Sequence, residues 1–292
     1  MLNYSFVSEK ELAAVDPHQT LGTPIALRNP LSIEQGVMRT SLLPGLLQNL
    51  SLSLRHQSLD VRLYELGRVY RPGTGARRTQ PAVEELRLAG VLTGRRAGVA
   101  WNAPKENVDF YDAKGAIEGL LQAVGINARF ESARDHVALH PRAAAWVIAG
   151  DRRLGAVGEL HPRVAEKLNV PGGIFAFDLD AVALAESSVR VPTYAGLPKF
   201  PAVLRDLAVV LDEKIEAATV VRAVREAGGG LVEEVLLFDV YRGAPIPAGR
   251  KSLALAIRYR AADRTLTDAE AIGAHERIVS ALSREVGAEL RT

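Results

Sequence analysis

The 292-residue chain contains no cysteine, which excludes disulfides and thiolate metal sites and fits a reducing compartment. Methionine and tryptophan occur twice each, and aromatic residues make up only 5% of the chain. No apolar run approaches the ~18–20 residues that a membrane span needs. The amino terminus, Met1-Leu2-Asn3-Tyr4-Ser5-Phe6, lacks the basic-then-apolar pattern of a secretory leader, so a cytoplasmic location is expected. An excess of one charge is missing too: 36 Lys+Arg against 34 Asp+Glu leave +2, which excludes a globally basic nucleic-acid binder. What remains is 48% hydrophobic residues, enough for a substantial core. The length favours two domains on a prior of ~100–200 residues each.

The clearest seam lies over residues 187–201, where three prolines and little hydrophobic periodicity read as a linker. It separates residues 1–190 from residues 199–292. In the second part, Leu207, Val209 and Leu211 alternate with Ala208 and Val210, a strand signal. Residues 217–227 place Val220, Val221 and Val224 on one helical face, and Gly228-Gly229-Gly230 stops that helix. Residues 235–241 (VLLFDVY) read as a near-continuous apolar strand. Leu253, Leu255, Ile257 and Tyr259 then alternate with Ser252, Ala254, Ala256, Arg258 and Arg260. Thr267 and Glu270 form a capping box that opens a helix with Ala271, His275, Ile278, Val279, Leu282 and Val286 in one stripe. A short strand over 288–291 closes the chain. The order β-α-β-β-α-β is the ferredoxin-like arrangement, with two helices on one sheet face and the other face free for a partner.

The first part is less regular. Residues 29–32 (NPLS) mark a turn, and residues 38–47 (MRTSLLPGLL) lead into a helix with Ser41 as N-cap and Pro44 in its first turn. Leu43, Leu46, Leu47, Leu50 and Leu54 make one apolar stripe, which serves either an internal core or a subunit interface. A strand is expected over 60–65, a break at Gly67 and a second strand over 68–71. A helix follows over 113–124, with strands around 145–149, 155–159 and 174–178. Together these predict an α+β domain on an antiparallel sheet.

Candidate chemistry is sparse. The loop from Gly243 to Ser252 has five residues between its glycines, Arg250 before Lys251, and two prolines that remove backbone donors, so it fails as a phosphate-binding loop. His136 and His140 are four apart, but Val-Ala-Leu between them omits the general base of a zinc hydrolase, and packed histidines at a turn or helix end are expected instead. His161 reads as structural. From Lys199 onward the chain carries three lysines and eleven arginines against fourteen acidic residues, so any nucleic-acid surface must cluster arginines on one face. Ser252, Arg258 and Arg260 share the open face of the third strand. Alanines at 254 and 256 stand where an RNA-recognition module carries stacking aromatics.

Read in order, residues 3–8 (NYSFVS), 29–32 (NPLS), 38–47, 60–70 (DVRLYELGRVY), 109–120 (DFYDAKGAIEGL), 154–162 (LGAVGELHP), 200–210 (FPAVLRDLAVV), 237–243 (LFDVYRG), 249–253 (GRKSL) and 264–267 (RTLT) resemble the β subunit of bacterial phenylalanyl-tRNA synthetases. The resemblance implies a class II synthetase-like antiparallel sheet module over residues 1–190 that is itself inactive. A ferredoxin-fold anticodon-binding domain would follow over residues 199–292. The implied assembly is an (αβ)₂ heterotetramer with the catalytic α subunit, attaching phenylalanine to tRNA(Phe) with ATP and Mg²⁺, with no metal or cofactor held by this chain. Ser252 and Arg291 are placed near an anticodon base by the resemblance, with Arg250 and Lys251 as phosphate contacts and Arg205, Arg242 and Arg264 as weaker ones; Arg258, on the open face by alternation, is a further tRNA-binding candidate. Arg62 and Glu65 stand in an R-x-x-E spacing that departs from the R-x-E of an active phosphate-binding strand. The family's editing and amino-terminal RNA-binding domains would lie upstream of this stretch, and a shortened chain is expected rather than a split gene. The alternative is an amino-acid-sensing regulatory domain, which shares the βαββαβ order.

Overall fold

The structure, a computed structural model, describes residues 1–73, 82–188, 194 and 196–291. It contains two compact units, Met1–Pro192 and Thr193–Thr292. The proline-bearing seam spans their junction, and its residues 189–193 and 195 lie outside the described residues.

In chain order the first unit runs β1 (Phe6–Val7), α1 (Glu9–Val15), β2 (Val37–Met38), α2 (Leu43–Arg55), β3 (Val61–Arg71), β4 (Val83–Thr93), α3 (Phe110–Ala123), β5 (Ala128–Ser132), β6 (Leu139–Ala149), β7 (Arg152–Leu160), α4 (Pro162–Lys167), β8 (Phe175–Asp180) and α5 (Ala181–Ser187). Strands β3 to β8 form one sheet in the order β3-β4-β8-β7-β6-β5, and every neighbouring pair is antiparallel. This is the α+β module that the patterning predicts.

Side chains alternate across a strand, so β3 turns Val61, Glu65 and Val69 to one face and Arg62, Tyr64 and Leu66 to the other. Helix α2 covers the first face. Leu43, Leu46, Leu47 and Leu50 are buried among Val61, Val69, Ala89, Val91 and Ala176, and Leu54 packs partly buried against the same cluster. Area already spent on the unit's own sheet is not available to a second subunit, so the subunit-interface assignment of these five leucines does not hold. Helices α3 and α5 cover the opposite face over β4, β6, β7 and β8, packing Ala113, Ile117, Leu121 and Ala183 on Leu92, Val147, Val157, Phe175 and Leu179.

Local expectations change in several places, three of which bear on the first sheet. Ser41 is not the N-cap of α2; Leu42 holds that position, and the Ser41 hydroxyl accepts from Leu43 N–H at 3.2 Å. Gly67 does not break β3, where it pairs with Arg87. A Cβ there would stand 2.6 Å from Arg39 Nη2 and 2.9 Å from Glu65 Oε1. The glycine thus makes room for the buried Arg39–Glu65 ion pair, 2.8 Å long, whose carboxylate also accepts from Asn3 Nδ2 at 2.7 Å. The third change is β4, unforeseen because Glu84-Glu85-Leu86-Arg87 near its start lacks strand character and its later half is buried on both faces.

The second unit comprises β9 (Val203–Asp212), α6 (Ala217–Gly228), β10 (Val232–Tyr241), β11 (Arg250–Tyr259), α7 (Asp268–Val286) and β12 (Glu289–Leu290). Its antiparallel sheet has the order β10-β11-β9-β12, so the first and third strands of the βαββαβ series lie at the centre, the ferredoxin-like topology. Leu207, Val209 and Leu211 join Leu253, Leu255, Ile257 and Tyr259 beneath Val220, Val224, Ile278 and Leu282. Each such buried aliphatic side chain stabilises by about 1.5–3 kcal/mol. The Thr267–Glu270 capping box forms as read, and α6 ends at Gly229, whose φ of +60° favours glycine.

Candidate nucleic-acid interface

The helices of the second unit lie on the face that holds Leu253, Leu255 and Ile257, so the even-numbered residues of β11 face away from them. Register builds that open face row by row. Tyr241 is paired with Ser252 and Ser252 with Val210; the next row holds Asp239, Ala254 and Ala208, followed by Leu236, Ala256 and Asp206. The last row holds Glu234, Arg258 and Leu204. Arg291 follows β12 and donates its backbone N–H to Ala208 O at 2.9 Å, which places it beside the second row.

From there the Arg291 side chain reaches across the strands. Its Nη1 lies 3.4 Å from the Ser252 hydroxyl, and its guanidinium stands 5.5 Å from the centre of the Tyr241 ring. Ser252 is therefore not bare: only 2% of it is exposed, beneath the ring and the guanidinium. The Tyr241 hydroxyl donates to Ala244 O at 2.7 Å, which fixes the ring. The arrangement combines an anchored aromatic ring, a cation and a hydroxyl, with the exposed Asp239 carboxylate one row away, ~7 Å along the strand. Small residues Ala208 and Ala254 leave room above the sheet. An unpaired base finds a surface to stack on and groups to hydrogen-bond its edge.

The structure sorts the other basic candidates. Arg250 sits beside this cluster, with Nη1 2.9 Å from Glu289 and Nη2 donating to Val210 O at 3.1 Å. Arg242 pairs with Glu213 at 3.0 Å, both half-exposed, a link weak enough to yield to a phosphate. Lys251 is a correction. It shares the parity of Leu253, so it points under the sheet, is 7% exposed, and donates its ammonium to Glu213 O at 3.0 Å and Ile215 O at 2.5 Å. Burial, followed by repulsion from Arg242, pushes its ammonium below the ordinary lysine value. A lysine so engaged cannot grip a backbone phosphate.

Arg205, Arg258 and Arg264 do not join the cluster either. Arg258 shares the open face but lies six residues, ~20 Å, along β11 from Ser252, in an ion pair with Glu234 at 2.8 Å. Arg205 pairs in register with Ile257 and so lies on the helix-covered side. Arg264 precedes α7, where it pairs with Asp263 and Glu270 and holds the Glu270 carboxyl at about 2. The expected gathering of these arginines at one edge is thus divided between the two ends and two faces of the sheet. Tyr241 and Asp239 were missed in the sequence, where the run from Val235 to Tyr241 reads as core. The alternation of Asp239 and Tyr241 opposite Ala254 and Ser252 was the available signal.

In the first unit, the histidines have structural partners. His136 lies in a turn against Trp146, ring centres 5.2 Å apart, and Trp146 carries the Arg153 guanidinium on it at 3.9 Å. Burial drops the His136 imidazole to about 4. His161 caps α4, its Nδ1 accepting from Arg163 N–H at 3.1 Å, and stacks at 6.1 Å on His140. Among the described residues no group of three or more His, Asp or Glu is placed to hold a metal ion. Arg62 and Glu65 face opposite sides of the sheet, where Arg62 Nη2 donates to Arg95 O and Arg96 O at 2.8 and 3.0 Å. They cannot hold one phosphate between them. No helix among the described residues is long and apolar enough to cross a membrane.

Comparison with known proteins agrees with both units. Residues 1–181 match the phenylalanyl tRNA synthetase beta chain CLM domain, and residues 198–291 match the ferredoxin-fold anticodon binding domain. The phenylalanine–tRNA ligase beta subunit of Anaeromyxobacter dehalogenans is 50% identical over 292 residues, covering 99% of this chain and 36% of that protein. That of Moorella thermoacetica is 43% identical over 295 residues, covering 100% and 36%. The chain thus spans about a third of the length of the curated relatives it matches. Among solved structures, a pyrrolysyl tRNA synthetase from Desulfitobacterium hafniense aligns with a TM-score of 0.46 at 16% identity, covering 63% of this chain and 60% of that one. The family match favours the anticodon-binding reading of the second unit over the amino-acid-sensing alternative. The chain belongs to the phenylalanyl-tRNA synthetase beta chain family, of which it carries the CLM domain followed by the ferredoxin-fold anticodon binding domain.

Proposed function

We propose that this chain is the non-catalytic part of a phenylalanine–tRNA ligase beta subunit that pairs with the catalytic α subunit in an (αβ)₂ assembly and holds the anticodon loop of tRNA(Phe). The reading rests on the convergence of Tyr241, Ser252 and Arg291 on the open sheet face. A loop base stacks on the Tyr241 ring, and the Ser252 hydroxyl and Asp239 carboxylate meet its edge. Arg291 swings from Ser252 toward the adjoining phosphate, with Arg250 and Arg242 at the same end of the sheet. Phosphate contacts position the RNA and base contacts select it.

ATP and Mg²⁺ are handled by the catalytic subunit on this reading. The strand that could offer a phosphate-binding arginine here sends Arg62 and Glu65 to opposite faces, so the two cannot act together on one phosphate. The test is fluorescence anisotropy with a labelled tRNA(Phe) anticodon stem-loop. Tyr241→Ala and Arg291→Ala are expected to weaken binding by roughly 5- to 150-fold, the equivalent of ~1–3 kcal/mol per stacked base. Unchanged affinity in both variants would remove the proposed face from consideration.

A further inference from the structure

Strand β10 has ten residues, whereas the stretch of β11 that faces it, from Ser252 to Tyr259, has eight. Two β-bulges take up the difference, one at Glu233 and one at Phe238. The second lies inside the proposed interface. Leu237 pairs with Leu255 and Asp239 with Ala254, so Phe238 is the extra residue, with no partner of its own on β11. A bulge sets two residues of one strand against one of the other, and next to functional sites it re-aims side chains.

Here the extra residue does not rephase the strand. Val235 and Leu237 pack against the helix-covered cluster, whereas Asp239 and Tyr241 share the open face with Ala254 and Ser252. Leu237 and Asp239 already lie on opposite faces, so a strand without Phe238 would join them in ordinary alternation. What the bulge adds is the Phe238 ring. That ring stays outside the helix-side cluster and is 55% exposed, although phenylalanine is among the residues most often buried.

Because β10 is the outermost strand, the ring is left at the border of the open face beside Asp239, one row, ~7 Å, from Tyr241 and Ser252. Leu236, 57% exposed and paired with Ala256, continues the apolar border into the next row. The floor alongside is made of Ala208, Ala254 and Ala256, whose side chains end at a methyl group. The exposed carboxylates of Asp239 and Asp206 repel a phosphate at this position but not the uncharged face of a base.

We propose that Phe238 is a second stacking ring for the RNA loop and takes the base next to the one held on Tyr241. The assignment rests on the anticodon-loop reading above. Successive bases on successive aromatic side chains hold a single strand whatever its sequence. Phe238 therefore adds affinity and fixes the path of the loop, while base choice stays with Ser252 and Asp239.

The test uses the full chain and tRNA(Phe) anticodon stem-loops that carry 2-aminopurine at one loop position at a time, a base whose fluorescence is quenched by stacking. With the parent chain, added quenching is expected at two adjacent positions, one lost in Tyr241→Ala and the other in Phe238→Leu. Leucine keeps an apolar side chain at the bulge but offers no ring, so affinity should fall at least about fivefold, and Phe238→Tyr should restore both signals. Deletion of Phe238 is the second variant: the strand keeps its alternation, so the Tyr241 signal survives and the other disappears. Thermal unfolding verifies that each variant is folded. Parent-level affinity and quenching in folded Phe238→Leu overturn the assignment, and so does failure of both the leucine and the deletion variant to fold, which makes the ring structural. Quenching at a single position, lost in Tyr241→Ala, also overturns it and leaves the anticodon-loop reading intact. Quenching at no position overturns that reading itself.

Discussion

The guanidinium of Arg291 lies across the open sheet face between the Ser252 hydroxyl, 3.4 Å away, and the Tyr241 ring, 5.5 Å away. Residue 252 is thereby buried on a face that has no helix over it. On the proposed anticodon-loop reading, RNA binding exchanges the Arg291–Ser252 contact for contacts to the loop.

Lys251 offers a contrast with its neighbour. Its ammonium satisfies two backbone carbonyls from beneath the sheet, so Lys251→Ala leaves both without a donor. Loss of buried hydrogen bonds of this kind costs about 1–3 kcal/mol. Urea unfolding is expected to register that loss, while stem-loop affinity measured below the transition stays within twofold of the parent. A large affinity loss with unchanged stability would return Lys251 to the interface.

Gly67 predicts a packing defect. Alanine there drives a methyl group into Arg39 and Glu65, a pair with side chains 6% and 1% exposed. Overpacking of a tight site costs typically 1–3 kcal/mol. Gly67→Ala is therefore expected to lower the unfolding midpoint of the first unit without changing that of the second. Calorimetry resolves the two transitions, and an unchanged first transition would contradict the account.

The stability of the first unit should also fall on mild acidification. His136 is held at about 4 by burial; the facing carboxylates of Asp135 and Asp16 oppose this, while Arg153 and Arg87 reinforce it. Unfolded, the ring returns to about 6.5. Between those values the unfolded chain binds a proton that the folded chain refuses, so stability is full above pH 6.5 and is lost toward pH 4. The loss reaches about 2 kcal/mol by pH 5. His136→Asn, whose amide oxygen can replace the ring nitrogen that accepts from Ala138 N–H, should flatten this dependence. Denaturation of both proteins at pH 7 and 5 measures the difference, and parallel pH slopes would exclude His136 as its source.

The second unit was legible because its strands are buried on one side. Alternation at residues 207–211 and 253–259 fixes which face is core, and the Thr267–Glu270 box marks a helix start locally. The same alternation assigns Lys251 to the core side; its adjacency to Arg250 obscured this. Tyr241 was hidden by position: β10 is an edge strand, where apolar side chains stay partly exposed, so its run of Val, Leu, Phe and Tyr imitates a buried strand. In the first unit, β4 is partly enclosed on both faces and loses its period. The Arg39–Glu65 pair joins residues 26 apart, a separation that no local pattern reports. The fate of the α2 leucines was likewise undecidable, because a stripe of that width suits an internal sheet and a foreign subunit equally.

The most direct test places a single 4-thiouridine in the anticodon loop of tRNA(Phe), irradiates the complex with the full chain, and identifies the crosslinked peptide by mass spectrometry. The account predicts attachment within β10 or the start of β11, between Asp239 and Ser252, and its loss in Arg291→Ala. Crosslinks confined to α6 and α7, or to the first unit, would contradict it.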